Sequence, residues 1–160
     1  MQELTFSEHE LIVSKTDTQG KIIYGNELFL QLSGYAEHEI IGAPHNIVRH
    51  PDMPKLIFKL LWDTIKSSHE INAYVINKAK NGDYYWVYAN VTPSFDETGK
   101  IAGYYSVRRK PSQKALNTIK PLYQQLINAE RSGGVAQSQK MLDELLKKHG
   151  GRYDKFILSL

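Results

Sequence analysis

The sequence predicts an α+β domain in which two strands, a block of short helices and three antiparallel strands follow one another, with a helical tail behind them. Two stretches rich in β-branched and aromatic residues, each divided by turn signals containing Asp, Asn or Gly, predict the strands. Between these stretches, apolar residues recur at helical spacing around a loop broken by prolines. After residue 110 the apolar spacing becomes helical again, which predicts the tail.

The first two strands form a predicted hairpin. Residues 11–16 are rich in β-branched side chains, and residues 21–24 continue that composition. Between them, Asp17 can bond its own backbone and Gly20 tolerates a positive φ, which is the chemistry of a tight turn. The acidic residues 2–10 ahead of the hairpin predict a short helix.

Three helical segments follow the hairpin. Asn26 is placed to cap a first helix that ends at Gly34, and residues 37–41 predict a further turn of helix. Residues 42–54 contain three prolines together with two His, one Arg and one Asp, so a long regular helix is excluded there. The helix predicted over 54–67 is apolar around most of its circumference, and we expect it to be largely buried.

Three more strands are predicted at 71–77, 84–92 and 101–109. An Asn-Gly pair between the first two is a strong hairpin signal, and residues 96–100 form the next turn. The tail is predicted to be helical from Ser112, with a kink or a restart at Pro121. A hinge at 131–134 precedes a last helix at 135–149.

Composition excludes several classes of protein. The chain of 160 residues has no Cys, which excludes disulfides, thiolate metal sites, a Cys nucleophile and a cysteinyl photoadduct. No apolar run approaches the ~18 residues of a membrane span, and the acidic N-terminus lacks the features of a signal peptide, so we expect a cytoplasmic protein without direct membrane insertion. Residues 1–110 hold 12 Lys and Arg against 13 Asp and Glu, and residues 111–160 hold 8 against 4. Neither part is basic enough to predict nucleic-acid binding.

Three segments resemble the flavin-binding PAS domain of the aerotaxis receptor family. They are the first-helix motif from Asn26 to Tyr35, GAPHNIVRHPDMP at 42–54 and KNGDYYWVYANVTP at 80–93. The resemblance, which covers residues 8–127, implies a PAS fold: a five-stranded antiparallel sheet with helices on one face that enclose a ligand pocket. We therefore expect a PAS sensory domain at 8–110 and a helical C-terminal extension at 111–160.

The resemblance also implies which side chains face the pocket. Side chains of a strand alternate between its two faces, and in flavin-binding PAS domains the face that carries Tyr85, Val87, Ala89 and Val91 is the one towards the ligand. Asn77 matches the position at which an Asn binds the pyrimidine edge of the flavin. The same parity on the last strand, and the buried helix, add Tyr104, Ser106, Arg108, Phe58, Leu61, Trp62 and Ile65.

The proline-broken loop corresponds to the ligand-binding loop of that family and supplies the charged candidates. We expect Arg49 to hold a pyrophosphate with its planar guanidinium group and His50 to donate to it when protonated. Asp52 would orient Arg49 or accept from a ribose hydroxyl. His45, beside Asn46 in the same loop, takes the place of the reactive thiol of cysteine-type flavin photosensors and forms no such adduct.

Simpler structural roles exist for several of these residues. Asn26 suits a helix cap, Asp52 can cap the helix that follows it, and Asn77 stands near a strand end. Two His in one loop suggest a metal ion, but no set of carboxylate and His side chains at ligand spacing accompanies them. No metal site is predicted.

The sequence thus predicts a cytoplasmic redox or energy-taxis sensor that binds FAD non-covalently and signals through protein contacts. No Ser-His-Asp, Walker or HExxH pattern is present, so an enzyme is not predicted. Two alternatives stay open: a gas-sensing haem PAS domain with His45 or His50 as axial ligand, and a cofactor-free adaptor.

The resemblance implies a membrane-bound chemotaxis signal transducer as the partner. Receptors of that family continue into a membrane anchor and a kinase-control region, and this chain stops before either, so it is similar to the stand-alone PAS protein of a bipartite energy-taxis system. Its membrane association would come through the partner, and a homodimer is a second arrangement. We expect the outward side chains of Trp86, Tyr88 and Asn90, with the helical tail, to form the contact surface.

Overall fold

A computed structural model describes all 160 residues and shows a five-stranded antiparallel sheet. The strands are β1 (Ile12–Thr16), β2 (Ile22–Gly25), β3 (Ile71–Lys78), β4 (Tyr84–Phe95) and β5 (Ile101–Arg109). Their spatial order is β2-β1-β5-β4-β3, so β1 and β5 join the first hairpin to the last three strands. The predicted α+β fold class is confirmed.

The helical segments between β2 and β3 lie on one face of the sheet. They are α1 (Glu27–Ser33), α2 (Glu37–Ile40), a 3₁₀ turn (His45–Val48) and α3 (Lys55–Lys66). Asn26 caps α1 as predicted, because its side-chain oxygen accepts from the backbone N–H of Phe29 at 3.1 Å. The same oxygen accepts from the N–H of Val13 at 3.1 Å, so one carboxamide also ties α1 to β1.

The C-terminal helices cover part of the opposite face of the sheet. They are α4 (Gln113–Leu146), a 3₁₀ turn (Lys147–His149) and α5 (Tyr153–Leu158). The Tyr123 hydroxyl of α4 donates to the carbonyl oxygen of Tyr74 in β3, and both side chains are buried. None of the helices combines the length and the apolar composition that crossing a membrane requires.

Trp86, Tyr88 and Asn90 are half-buried on the outer face of the sheet, because other side chains of the chain contact them. The Trp86 ring lies 5.9 Å from the ring of Tyr123. Tyr88 stacks on a neighbouring tyrosine of β3 with ring centroids 4.6 Å apart, and Asn90 donates to the Asn72 side chain at 3.0 Å. Apolar side chains of α4 need a surface on which to be buried, and this sheet face provides one. Partner contact through these residues stays a prediction.

The N-terminal segment differs from its prediction. Residues 2–10 form no helix, since the N–H of Leu4 donates to the carbonyl oxygen of Tyr84 at 2.7 Å and the N–H of Tyr84 donates to that of Gln2 at 3.0 Å. β5 pairs with β4 only from Tyr88 onward, which leaves the start of β4 with a free edge. The N-terminal backbone satisfies that edge, and this outweighs its helical tendency.

The break in the tail falls at the predicted hinge and not at Pro121. Gly134 has φ 70° and ψ −167° and is the only non-helical residue inside α4. Proline lacks one helical N–H, but its φ is compatible with a helix, and the neighbouring Ile119 and Leu122 are buried. Packing on both sides of Pro121 therefore keeps the helix continuous, whereas a positive φ is readily adopted only by glycine.

A carboxylate from the tail caps α3. Pro54 precedes α3 and has no side chain that could accept a hydrogen bond. Glu130 of α4 instead accepts from the N–H groups of Lys55 at 2.8 Å and Leu56 at 3.1 Å. Glu130 also accepts at 2.9 Å from the hydroxyl of Ser138, a residue that follows the hinge at Gly134. One carboxylate thus ties both halves of α4 to α3.

Replacing Glu130 with Ala is expected to lower the free energy of unfolding by about 1 to 3 kcal/mol, because two N–H groups of α3 lose a charged acceptor. Equilibrium urea unfolding of the purified chain measures the change. Glu97→Ala, in the exposed turn before β5, is the matched control and should alter stability by less than about 0.5 kcal/mol. A Glu130→Ala protein as stable as the wild type would contradict this role.

Candidate ligand-binding site

A cavity of about 190 Å³ lies between α3, the 42–54 loop and the inner face of the sheet. Inward side chains of β1, β3, β4 and β5 form its floor, and α3 forms one wall. Most of the sequence-predicted site residues meet there: His45, Asn46, Arg49, Phe58, Leu61, Trp62, Ile65, Asn77, Ala89, Val91, Tyr104, Ser106 and Arg108 line this cavity. The strand parity that predicts the floor is therefore present in the structure.

Tyr85 and Val87 do not line the cavity, although they share its face of the sheet. Both are completely buried at 0% exposure, while the alternate residues Trp86 and Tyr88 are half-buried. The Tyr85 hydroxyl has no hydrogen-bond partner. Burial raises the pKa of Tyr85 to about 12, so the hydroxyl stays protonated at neutral pH.

His50 and Asp52 lie away from this cavity, which corrects the expectation that all the loop side chains meet in one pocket. They line a separate cleft of about 630 Å³ beside the outer face of the sheet and α4. Arg49 forms an isolated β-bridge with Asn77 at the free edge of β3. Successive residues of extended chain point to opposite sides, so Arg49 faces the cavity and His50 faces the cleft.

Asp52 neither orients Arg49 nor caps α3. Its carboxylate is 71% exposed and lies 3.9 Å from the imidazole of His50, and its own N–H donates to His50 Nδ1 at 3.0 Å. The Arg49 guanidinium group instead lies 3.7 Å above the ring of Phe58 on α3. The aromatic ring, and not a carboxylate, holds Arg49 at the mouth of the cavity.

Arg108, Ser14 and His45 form a hydrogen-bonded row on the cavity wall. Arg108 Nη2 donates to Ser14 Oγ at 2.7 Å, and Ser14 Oγ lies 3.0 Å from His45 Nε2. The pairing of β1 with β5 sets Ile12 opposite Arg108, which brings Ser14 beside it. A neutral imidazole can accept a hydrogen bond from the Ser14 hydroxyl at Nε2, so Arg108 is the only charged member of the row.

Burial and mutual repulsion set the charges in this row. Desolvation, and then the positive charge of Arg108, lower the pKa of His45 to about 3. Desolvation also lowers the pKa of Arg108 to about 10, so its guanidinium group remains charged at neutral pH. At 2% exposure Arg108 is a buried cation, and its Nε has no hydrogen-bond partner.

No carboxylate compensates this charge. The lining contains two arginines, Arg49 and Arg108, and no Asp or Glu. Asn77, which is 4% exposed, has a buried side-chain oxygen without a partner. A buried cation and an unpartnered amide are costly unless a ligand satisfies them, and a ring with carbonyl acceptors and N–H donors would do so. The residues present therefore fit a flavin ring system.

Aromatic and small residues shape the rest of the cavity. Trp62 of α3 meets the Tyr104 ring edge-on with centroids 5.5 Å apart. Gly20 has φ 83°, and a Cβ at this position would come within 3.1 Å of the Trp62 ring. The tight turn after β1 is thus also a contact surface for Trp62. No group of three His, Asp or Glu side chains that could hold a metal ion exists in the chain.

Sequence reasoning did not include several lining residues as site candidates. They are Ser14, Thr16, Gln19, Gly20, Pro44, Val48 and Val75. Strand alternation along 11–16 predicts that Ser14 faces inward, because it places Ser14 on the same face as the buried Ile12. The contribution of β1 to the floor depends on its long-range pairing with β5, which no local pattern specifies.

The free energy of unfolding is expected to decrease as the pH falls, partly because of His45. Its folded pKa of about 3 lies below the reference value of 6.5, so the unfolded chain binds the proton more readily. The contribution is complete above pH 6.5 and is lost as the pH falls towards 3, at no more than about 1.4 kcal/mol per pH unit. Urea unfolding at several pH values should show a steeper decline for the wild type than for His45→Gln. His9→Gln, at an exposed site, is the control, and a difference between wild type and His45→Gln that is constant with pH would contradict the assignment.

Comparison with known proteins identifies the family. A family model described as "PAS fold" matches residues 22–108, which is more than half of the chain. The aerotaxis receptor of Escherichia coli strain K12 is 43% identical over 131 residues, a match that covers 82% of this chain and 26% of the receptor. The chain thus spans about a quarter of that relative's length.

Solved structures share the fold. The PAS domain of a protein from Colwellia psychrerythraea superposes with a TM-score of 0.58 at 22% identity, covering 64% of this chain and 87% of that one. The light-state structure of the blue-light photoreceptor Aureochrome1 LOV has a TM-score of 0.59 at 20% identity, covering 78% of this chain and 93% of that one. Together with the family match and the observed strand order, these likenesses show that the chain belongs to the PAS fold family.

Proposed function

We propose that this PAS domain is a redox sensor that binds FAD non-covalently in the cavity beneath α3. The observation that carries the proposal is Arg108, a buried cation on the cavity wall with no carboxylate partner. A bound flavin would supply reversible electron transfer together with a ring edge rich in hydrogen-bond acceptors. The 43% identity to the aerotaxis receptor supports the same assignment.

The chain's own residues have distinct roles in this proposal. Asn77 and Arg108 satisfy polar groups of the ring from the sheet side, where both side chains have unpartnered atoms. Trp62 and Tyr104 enclose the ring from α3 and β5. Arg49, held over Phe58 at the mouth, is placed for a phosphate that extends out of the cavity.

The haem alternative is weaker in this geometry. Of the two candidate axial ligands, His45 has its Nε2 3.0 Å from Ser14 Oγ, and His50 faces the other cleft. A cofactor-free adaptor would leave Arg108 and Asn77 buried without compensation. The geometry of the cavity therefore favours a flavin over a haem group and over a cofactor-free adaptor.

An enzymatic role is also disfavoured, although Ser14 and His45 form a Ser-His pair. A pKa of about 3 makes the imidazole of His45 a poor general base. Ser14 already accepts from Arg108, and no Asp or Glu on the lining could orient the imidazole. The pair of Ser14 and His45 is therefore better suited to ligand binding than to catalysis.

The output we propose is protein contact in energy taxis, with a membrane-bound chemotaxis signal transducer as the partner and a cytoplasmic location near it. The support is the relationship to the aerotaxis receptor. Trp86, Tyr88 and Asn90 remain candidate contact residues, but α4 packs beside Trp86. A partner that uses this face must therefore bind across α4 or displace it.

The absorption spectrum of the purified protein tests the cofactor. Bands near about 450 nm, and FAD released on denaturation, are expected for a flavoprotein. An intense band near about 400 nm would indicate haem, and colourless protein that takes up no added FAD would indicate an adaptor. Either of these results would contradict the proposal.

Arg49→Ala is expected to weaken FAD binding at least about tenfold and so to lower the FAD content per mole of folded protein, since a charge-assisted phosphate contact contributes roughly 1.5 to 3 kcal/mol. Arg131→Ala removes the same charge from an exposed position on α4 and should leave the content unchanged. Circular dichroism confirms that both variants are folded. Equal FAD content in Arg49→Ala and wild type would remove Arg49 from the site.

A further inference from the structure

The cleft of about 630 Å³ beside the outer face of the sheet is not used by the proposed flavin site. It lies between the outward side chains of β3, the start of β4, the 42–54 loop and α4. Apolar side chains from the sheet and from α4, Ile76 and Ile127, line its inner part. The cleft therefore combines an apolar interior with a rim that carries charged groups.

The charges of this cleft are mainly positive and are poorly compensated. Lys78 and Lys120 lie on the lining, and Asp52 is the only acidic residue there. Lys78 forms no ion pair within the chain, and the only carboxylate paired with Lys120 is that of Glu3, at 3.9 Å. Both members of that pair are exposed, and exposed ion pairs contribute little. Both ammonium groups are thus available to a negatively charged group from another molecule.

Aromatic rings form the floor of the cleft. The Lys120 ammonium group lies 5.8 Å from the centroid of the Trp86 ring, and Tyr84 meets the ring of His50 edge-on with centroids 5.8 Å apart. Trp86 and Tyr84 are only half-buried, so each ring is still partly accessible. Trp and Tyr are among the side chains that contribute most to binding at protein interfaces. The floor is therefore suited to an apolar or aromatic side chain of a partner.

Two paired segments connect this cleft with the ligand cavity. The β-bridge joins Arg49 to Asn77, and both side chains line the cavity. The next residue of each segment, His50 and Lys78, lines the cleft instead, because successive side chains of extended chain point to opposite sides. Burial, and then the positive charge of Lys78, lower the pKa of His50 against the opposing effect of Asp52. A molecule in the cleft would contact the same two segments that carry cavity side chains.

The chemistry of the lining selects among possible occupants. A membrane surface is recognised by clusters of about four to eight Lys and Arg side chains, and this lining has two. A nucleic acid likewise requires more phosphate contacts than two lysines provide. A free inorganic anion would leave the aromatic floor without a contact. A polypeptide that carries both carboxylates and an apolar side chain satisfies the lysines and the floor together.

We propose that this cleft binds an acidic segment of a partner protein, with carboxylates at Lys78 and Lys120 and an apolar or aromatic side chain against Trp86. The inference rests on the proposed output through protein contact and assigns the chemistry of the partner, but it does not require a flavin in the cavity. An acidic segment reaches Trp86 from the cleft while α4 stays on the sheet.

Nuclear magnetic resonance of the indole N–H groups tests the proposal, because the chain has two Trp, one lining the cavity and one lining the cleft. The probe is the terminally blocked peptide Glu-Glu-Leu-Phe-Glu-Glu, added to the isotope-labelled full chain. Trp62→Phe and Trp86→Phe assign the two signals. The Trp86 signal is expected to shift with a Kd of about 0.1 to 1 mM, since the ordering of a short flexible peptide opposes binding. No shift of this signal at peptide concentrations about tenfold higher would overturn the inference.

Variants and a second peptide separate charge from general stickiness. The double variant Lys78→Gln, Lys120→Gln is expected to raise the Kd at least about tenfold, because two charge-assisted contacts are lost. The matched control Lys114→Gln, Lys140→Gln removes the same charge from exposed positions outside the cleft and should leave the Kd unchanged. The peptide Lys-Lys-Leu-Phe-Lys-Lys should not bind. An equal Kd in wild type and the cleft double variant, or equal binding of both peptides, would overturn the inference.

The outcomes for the two proposals are distinguishable. Protein that contains no flavin but binds the acidic peptide at Trp86 overturns the cofactor assignment and supports this inference. Protein that contains flavin but shows no shift of the Trp86 signal overturns this inference alone. A shift of the Trp62 signal alone would place the peptide in the ligand cavity and would also overturn it. If both signals shift, the Kd of the lysine variants decides the question.

Discussion

The buried positive charge of Arg108 is the constraint around which the inner side of this PAS domain is arranged. It lies on β5, hydrogen-bonds to Ser14 on β1, and through Ser14 reaches His45 in the loop. Burying such a charge is costly, and here no carboxylate offsets it. The row therefore connects β1, β5 and the 42–54 loop to the interior of the cavity. A change in the charge of a bound ligand would act on these three elements at once.

The free edge of β3 separates two surfaces with different chemistry. The loop pairs with that edge through Arg49 and Asn77, so adjacent loop residues are sent to opposite sides of the sheet. Arg49 remains with the ligand cavity, whereas His50 joins the cleft beside α4. Glu130 makes a second link by capping α3, the helix that forms the cavity wall. The tail is thus in contact with an element that surrounds the cavity.

Much of the fold could be predicted because its signals are local. The Asn26 cap, the hairpin turns and the alternation along β4 depend on neighbouring residues, and the structure contains them. Predictions failed where a distant element offered the backbone or side chain a better partner. The N-terminal segment pairs with the free start of β4 instead of forming a helix, and packing on both sides carries α4 through Pro121.

The sequence by itself determined the order of strands and helices, the inward parity of β4 and β5, and the concentration of polar residues in the 42–54 loop. Each of these features depends only on the type and spacing of a few neighbouring residues. Only the tertiary structure decided that Ser14 stands beside Arg108, that His50 leaves the cavity, and that Trp86 lies beside α4. These arrangements join residues up to 94 positions apart. They arise from strand register and from competition for buried surface, which depend on the whole chain at once.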